Sequence, residues 1–170
     1  MFTRGVAEKF GMHSMITHLP DYAQRAVADL VSEPATQSIW LIGSRASNTA
    51  RPSSDWDLLV FSGDEPRERD RRCDDLDVVH VGPSRHFLAE GQPAAGFTLS
   101  FENWEWREDG DQAIYTGYDL IDETDDYEGS APVRRPQRRA IRIWLAASEY
   151  ARNLPPNPRL HQMARFAIHR

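Results

Sequence analysis

The sequence predicts a single domain of the α/β (α+β) class, and three observations carry that prediction. Three short apolar runs rich in β-formers, residues 38–42, 55–61 and 75–81, are closed by Gly43, Gly63 and Gly82, as buried strands are. Two other stretches, 21–32 and 136–152, place their apolar residues at helical spacing. The chain has 170 residues with 40% hydrophobic content, enough for one real core.

Along the chain, the first dozen residues show no clear period and are expected to be loosely held. Helix 21–32 brings Tyr22, Ala26, Leu30 and Val31 to one side, with Asp21 as its expected N-cap and Pro34 as its stop. "SIWLI" is the first strand; "SRASN" reads as one helical turn before the Pro52 loop; "DWDLLVF" is the second strand. The polar "GDEPRERDRR" loop leads to the third strand, "DLDVVHV". A short helix is expected over 84–90, then strands or a hairpin around "DGD", and a linker at "ETDDYEGSAP". The core spans about 21–121, and a C-terminal helical extension is expected over about 134–153, its helix of some four turns covering 136–152.

Composition excludes several function classes. Cys73 is the only cysteine, so there is no internal disulfide and no cysteine-rich zinc site. No run approaches the roughly 18–20 apolar residues of a membrane span, and the N-terminus lacks the apolar core of a signal peptide, so a cytoplasmic protein with no membrane contact is expected. The net charge of −6 argues against non-specific nucleic-acid binding by the whole molecule. Lys9 is the only lysine. A basic phosphate contact would therefore use arginine, which removes the lysine-based phosphate loop.

The chemistry concentrates in "GSRASNTARPSSDWDLLVF", residues 43–61. Strand side chains alternate, so Asp55 and Asp57 share a face, roughly 6.5–7 Å apart, while Trp56, Leu58 and Val60 take the other. Asp77 opens the next apolar strand in the same way and can join them if the two strands pair; Asp75 has the same parity and would take its place on a register slip of two. Such carboxylates repel one another unless a cation sits between them, and hard oxygen donors favour Mg²⁺ or Mn²⁺. Three of them can hold two ions, about 3.5–4 Å apart in sites that act at phosphorus. Gly43 lets the backbone approach a ligand, Ser44 offers a hydroxyl, and the following helical turn presents N–H groups to an anion. Phosphate cradle and carboxylate site together ask for a metal-bound nucleoside triphosphate.

The apolar strand, Gly43-Ser44, ten intervening residues, Asp55-x-Asp57 and Asp77 resemble the nucleotidyltransferase superfamily that includes DNA polymerase β, and are most similar to its minimal members. The resemblance covers roughly residues 21–81. It implies a mixed sheet flanked by helices, Mg²⁺ on Asp55, Asp57 and Asp77, Ser44 beside the β and γ phosphates, and transfer of a nucleoside monophosphate, AMP from ATP, to a hydroxyl. It further implies that Asp77 takes the nucleophile's proton. The implied acceptor is a partner protein, as in antitoxins that adenylylate a HEPN-type toxin, a small molecule, as in antibiotic-modifying relatives, or an RNA end. Only residues after about 130 would supply the helical acceptor domain of the antibiotic-modifying type.

Other residues read more blandly. Arg45 and Arg51 either neutralise triphosphate charge or are solvated loop arginines. His80 faces away from Asp77 and reads as a packed, hydrogen-bonded histidine. Trp104, Trp106, Tyr115 and Tyr118 read as core before base-stacking platform. The arginines of 134–142 read as a solvated helix face paired with the acids of 122–128, before RNA contact. The rival reading from another class is a non-catalytic module of the same fold that acts by contact with a partner protein; a metal-dependent phosphohydrolase ranks behind both.

Overall fold

The computed structural model describes residues 18–69, 73–91, 101, 104–119, 133–147 and 149. In order, they form α1 (Asp21–Val31), β1 (Thr36–Ile42), α2 (Gly43–Ala46), β2 (Trp56–Ser62), β3 (Leu76–Val81), β4 (Phe87–Ala89), β5 (Glu105–Asp109), β6 (Gln112–Thr116), β7 (Tyr118–Asp119), β8 (Val133–Arg134) and β9 (Arg138–Leu145). Seven strands make one sheet in the order β4-β3-β2-β1-β9-β6-β5, and β7 pairs with β8 separately. The sheet is mixed: β2 and β3 run parallel, and its other neighbouring pairs are antiparallel.

The first helix and the three apolar strands form where their patterns place them. Pro20, not Asp21, is the N-cap of α1; Asp21 is the first helical residue, where its charge suits the positive end of the helix dipole. Ala23, Ala26, Val27 and Leu30 are buried in a cluster with Ile39, Leu41, Leu58, Val60, Val78 and Ile143, which defines one face of the sheet. The other face carries Trp40, Ile42, Leu59, Val81, Ala113, Tyr115 and Ala140, with Phe101, Trp104 and Trp106 against them.

Two expected helices are strands. Within 134–153, residues 138–145 are β9, inserted between β1 and β6, and helical backbone appears only at Ala147 and Glu149 among the described residues. Ala, Arg and Leu favour a helix there, but Ile141, Ile143 and Trp144 fit a pleated, buried surface, and two flanking strands satisfy the backbone on both sides. Arg142, read as part of a solvated helix face, instead lies over the Trp40 ring and pairs with Asp111 at 2.7 Å. Within 84–90, residues 87–89 form β4 along β3; Phe87 packs edge-on to Phe101, which favours an extended edge over a helix. The expected hairpin around "DGD" is present as β5 and β6, turning at Gly110 with φ +59°. The linker at 123–132 and the first dozen residues lie outside the described residues. Among the described residues, no helix is long and apolar enough to cross a membrane.

Candidate active site

The site lies on the aromatic face, where β1 ends and β2 and β3 begin. Residues Trp56 to Phe61 pair with Leu76 to Val81 in parallel register, which sets Asp57 directly beside Asp77. That register is locked one step earlier, because the Trp56 N–H donates to the Asp75 carbonyl at 3.0 Å. Asp75 precedes β3, and Asp77 is the aspartate that partners Asp57. Asp55, two residues before Asp57, is exposed just ahead of β2.

On the other side Ile42 pairs with Asp57, so the chain enters Gly43 alongside that carboxylate. Gly43 has φ +72°, and a Cβ there would overlap Asp57 Oδ2 and stand 2.8 Å from its Cγ. Glycine is required both by the backbone conformation and by the space. The close approach that Gly43 permits is thus to Asp57 itself.

Burial, followed by the Asp77 and Asp55 carboxylates, pushes Asp57 up to about 6, against the opposing influence of Arg138 and Arg45. Crowded carboxyl groups behave in this way when no cation lies among them. As the side chains stand, no group of three or more His, Cys, Asp or Glu among the described residues is gathered closely enough to hold an ion. The Asp57 and Asp77 pair is in place through the sheet register, with Asp55 within electrostatic reach.

The Gly43 turn departs from the expected phosphate cradle. The Gly43 N–H donates to the Tyr115 hydroxyl at 2.9 Å. Ser44 is held through its carbonyl, which accepts the Thr49 N–H at 2.9 Å. Arg45 braces the loop: Nε donates to the Asp55 carbonyl at 3.0 Å, Nη2 donates to the Ser54 carbonyl, and the guanidinium lies 4.3 Å over the Trp56 ring. It therefore fixes the backbone that carries Asp55. Arg51 is exposed in the same loop.

Two residues near the site carry other readings in the sequence, Tyr115 as core before base-stacking platform and Arg138 as part of a solvated helix face. Tyr115, on β6, reaches across β9 to Gly43, with Ala140 the small residue of β9 on that face. Arg138 opens β9 opposite Tyr115 and lies within electrostatic reach of its hydroxyl. The signal for Arg138 was the strand alternation of "RRAIRIWL"; nothing local marks Tyr115. His80, as expected, is buried and bonded, with Nε2 2.8 Å from Glu90 Oε1.

The family model of the nucleotidyltransferase domain matches residues 24–104, from α1 through β4 to the start of the aromatic hairpin. No curated protein and no solved structure matches the chain. The matched span contains Gly43, Ser44, Asp55, Asp57 and Asp77, and a mixed sheet brings Asp57 and Asp77 together behind the Gly43 turn. Residues 24–104 thus match a nucleotidyltransferase domain, and the arrangement is consistent with one of the minimal kind.

Proposed function

We propose that this chain transfers a nucleoside monophosphate, AMP from ATP, to a hydroxyl acceptor and releases pyrophosphate. The observation that carries the reading is the pairing of Asp57 with Asp77 in parallel register, against a glycine turn that only glycine can make. The donor set suits a hard divalent cation: carboxylate oxygens, crowded enough that Asp57 is pushed up to about 6. Asp55, Asp57 and Asp77 would hold Mg²⁺ or Mn²⁺. A bound ion there supplies charge neutralisation for the triphosphate and polarises its P–O bonds.

In this reading the acceptor oxygen attacks the α-phosphorus, and the bond from that phosphorus to the bridging oxygen breaks, so pyrophosphate departs with the electron pair. The hydroxyl proton passes to Asp77, the exposed member of the pair. Ser44 faces the β and γ phosphates, and the Gly43 turn keeps them beside the carboxylates. The acceptor is a hydroxyl of a partner protein, a HEPN-type toxin in the antitoxin-like case; a small molecule or an RNA end are the other outcomes of the test.

The test is transfer from each of the four ribonucleoside triphosphates, labelled at the α-phosphate, with Mg²⁺ or Mn²⁺ and host lysate, beside the Asp55→Asn/Asp57→Asn protein. Label in a protein, RNA or small-molecule fraction only with the unaltered chain is the expected result, and the fraction names the acceptor class. Equal label from both proteins overturns the reading. No label, with a lysate partner retained by both, replaces it with the module that acts by contact.

A further inference from the structure

One of the two readings of Arg45 in the sequence gives it the nucleotide's charge, yet Arg45 is committed to the Ser54 and Asp55 carbonyls and to the Trp56 ring. Another cation is placed at the same turn. Arg138 is exposed, on the same face of the sheet as Tyr115 and Asp57. The next residue ties the strand to the phosphate turn, because the Arg139 N–H donates to Ser47 Oγ at 3.2 Å, directly after α2.

Tyr115 stands opposite this arginine in the strand register. Its ring is buried and stacks on Trp104 with centroids 5.0 Å apart and planes 7° apart, which fixes the hydroxyl. That oxygen accepts from the Gly43 N–H, and the Arg138 guanidinium lies within electrostatic reach of it. A phenol both accepts and donates, so with the Gly43 N–H on its oxygen the Tyr115 hydroxyl still has its proton to donate. The turn therefore presents a guanidinium and a hydroxyl proton side by side, both suited to phosphate oxygens.

We propose that Arg138, opposite Tyr115, is the residue that meets the polyphosphate of the bound nucleotide, while Arg45 is a brace for the loop that carries Asp55. Both Arg138 and Tyr115 lie outside the matched span 24–104, and the inference rests on the nucleotidyltransferase reading above. Arg138 discriminates triphosphate from monophosphate because it stands at the Gly43 turn.

The experiment is equilibrium binding of ATP, AMP and inorganic tripolyphosphate, each with Mg²⁺, to the unaltered chain and to Arg138→Gln, Arg138→Lys, Tyr115→Phe and Arg45→Gln. Arg138→Gln is expected to weaken ATP and tripolyphosphate about tenfold, as loss of a charge-assisted bond does, and to leave AMP unchanged. Arg138→Lys recovers part of that loss. Tyr115→Phe, which keeps the stacked ring, weakens the same two ligands by a few-fold. Arg45→Gln affects ATP and AMP alike. Triphosphate binding retained by Arg138→Gln, or AMP lost in parallel with ATP, overturns this inference alone. An unaltered chain that binds no triphosphate overturns the nucleotidyltransferase reading and this one with it.

Discussion

The two faces of the sheet are built from different materials. Against α1 the packing is aliphatic: Ile39, Leu41, Leu58, Val60, Val78 and Ile143 meet Ala23, Val27 and Leu30. The opposite face is aromatic. Trp40 meets Trp106 edge-on at 5.2 Å, Phe61 meets Phe101 at the same separation, and Trp104 stacks on Tyr115. Aliphatic side chains fill space without direction, whereas rings carry a polar tip and a preferred geometry. Here the Tyr115 hydroxyl and the cation above Trp40 are held by rings. The helix face supplies stability, and the aromatic face adds the means to aim polar groups at the end where Asp57 and Asp77 meet.

That division can be broken on either side. Leu30→Ala removes a fully buried side chain from the aliphatic face and is expected to cost about 3 kcal/mol. Denaturant melts should show that loss while transfer per folded molecule stays the same; lost transfer in the folded fraction would mean the faces are coupled. Gly43→Ala strains a residue at φ +72° and forces Asp57 aside. About 2 kcal/mol of stability is expected to go, with transfer abolished and the melt still cooperative.

Asp57→Asn acts in the other direction. The folded state holds the Asp57 proton up to about pH 6, while the unfolded chain releases it near 4. Between those values the folded state binds more protons, so this group makes stability fall as pH rises, and the deficit is complete above about 6. Asn at 57 should therefore raise stability at pH 7.5 by about 1 kcal/mol, allowing for screening of a half-buried group. Below pH 4 the gain should vanish, and Mg²⁺ should stabilise the unaltered chain more than the variant. Paired thermal melts at pH 3.8 and 7.5 check it; a gain independent of pH would remove the electrostatic account. The smallest effect is expected for Arg45→Gln, which loses two loop hydrogen bonds and the contact over Trp56. It should cost about 1 kcal/mol or less, read as faster amide exchange at Ser54 and Asp55.

Much of the fold and part of the candidate site's geometry were legible in the sequence. Runs 38–42, 55–61 and 75–81 are apolar and end at glycines, and β1, β2 and β3 lie there. Asp55, Asp57 and Asp77 stand out because a charge heading an apolar strand is costly unless it has a use. Residues 136–152 misled because their apolar spacing satisfies a helix as well as a strand. Their backbone direction was settled by the open edges of β1 and β6, which local spacing does not contain.

The sequence by itself determined which residue types head each strand, where glycine must turn the chain, and that nearly all of its positive charge is arginine. Those are local matters of alternation, backbone freedom and composition. Only the tertiary structure decided that Asp77 faces Asp57, that Arg45 is occupied, and that Tyr115 and Arg138 arrive at Gly43 from 72 residues and more along the chain. Register across a sheet depends on backbone hydrogen bonds between distant strands, and no short stretch of sequence carries both halves of such a pair.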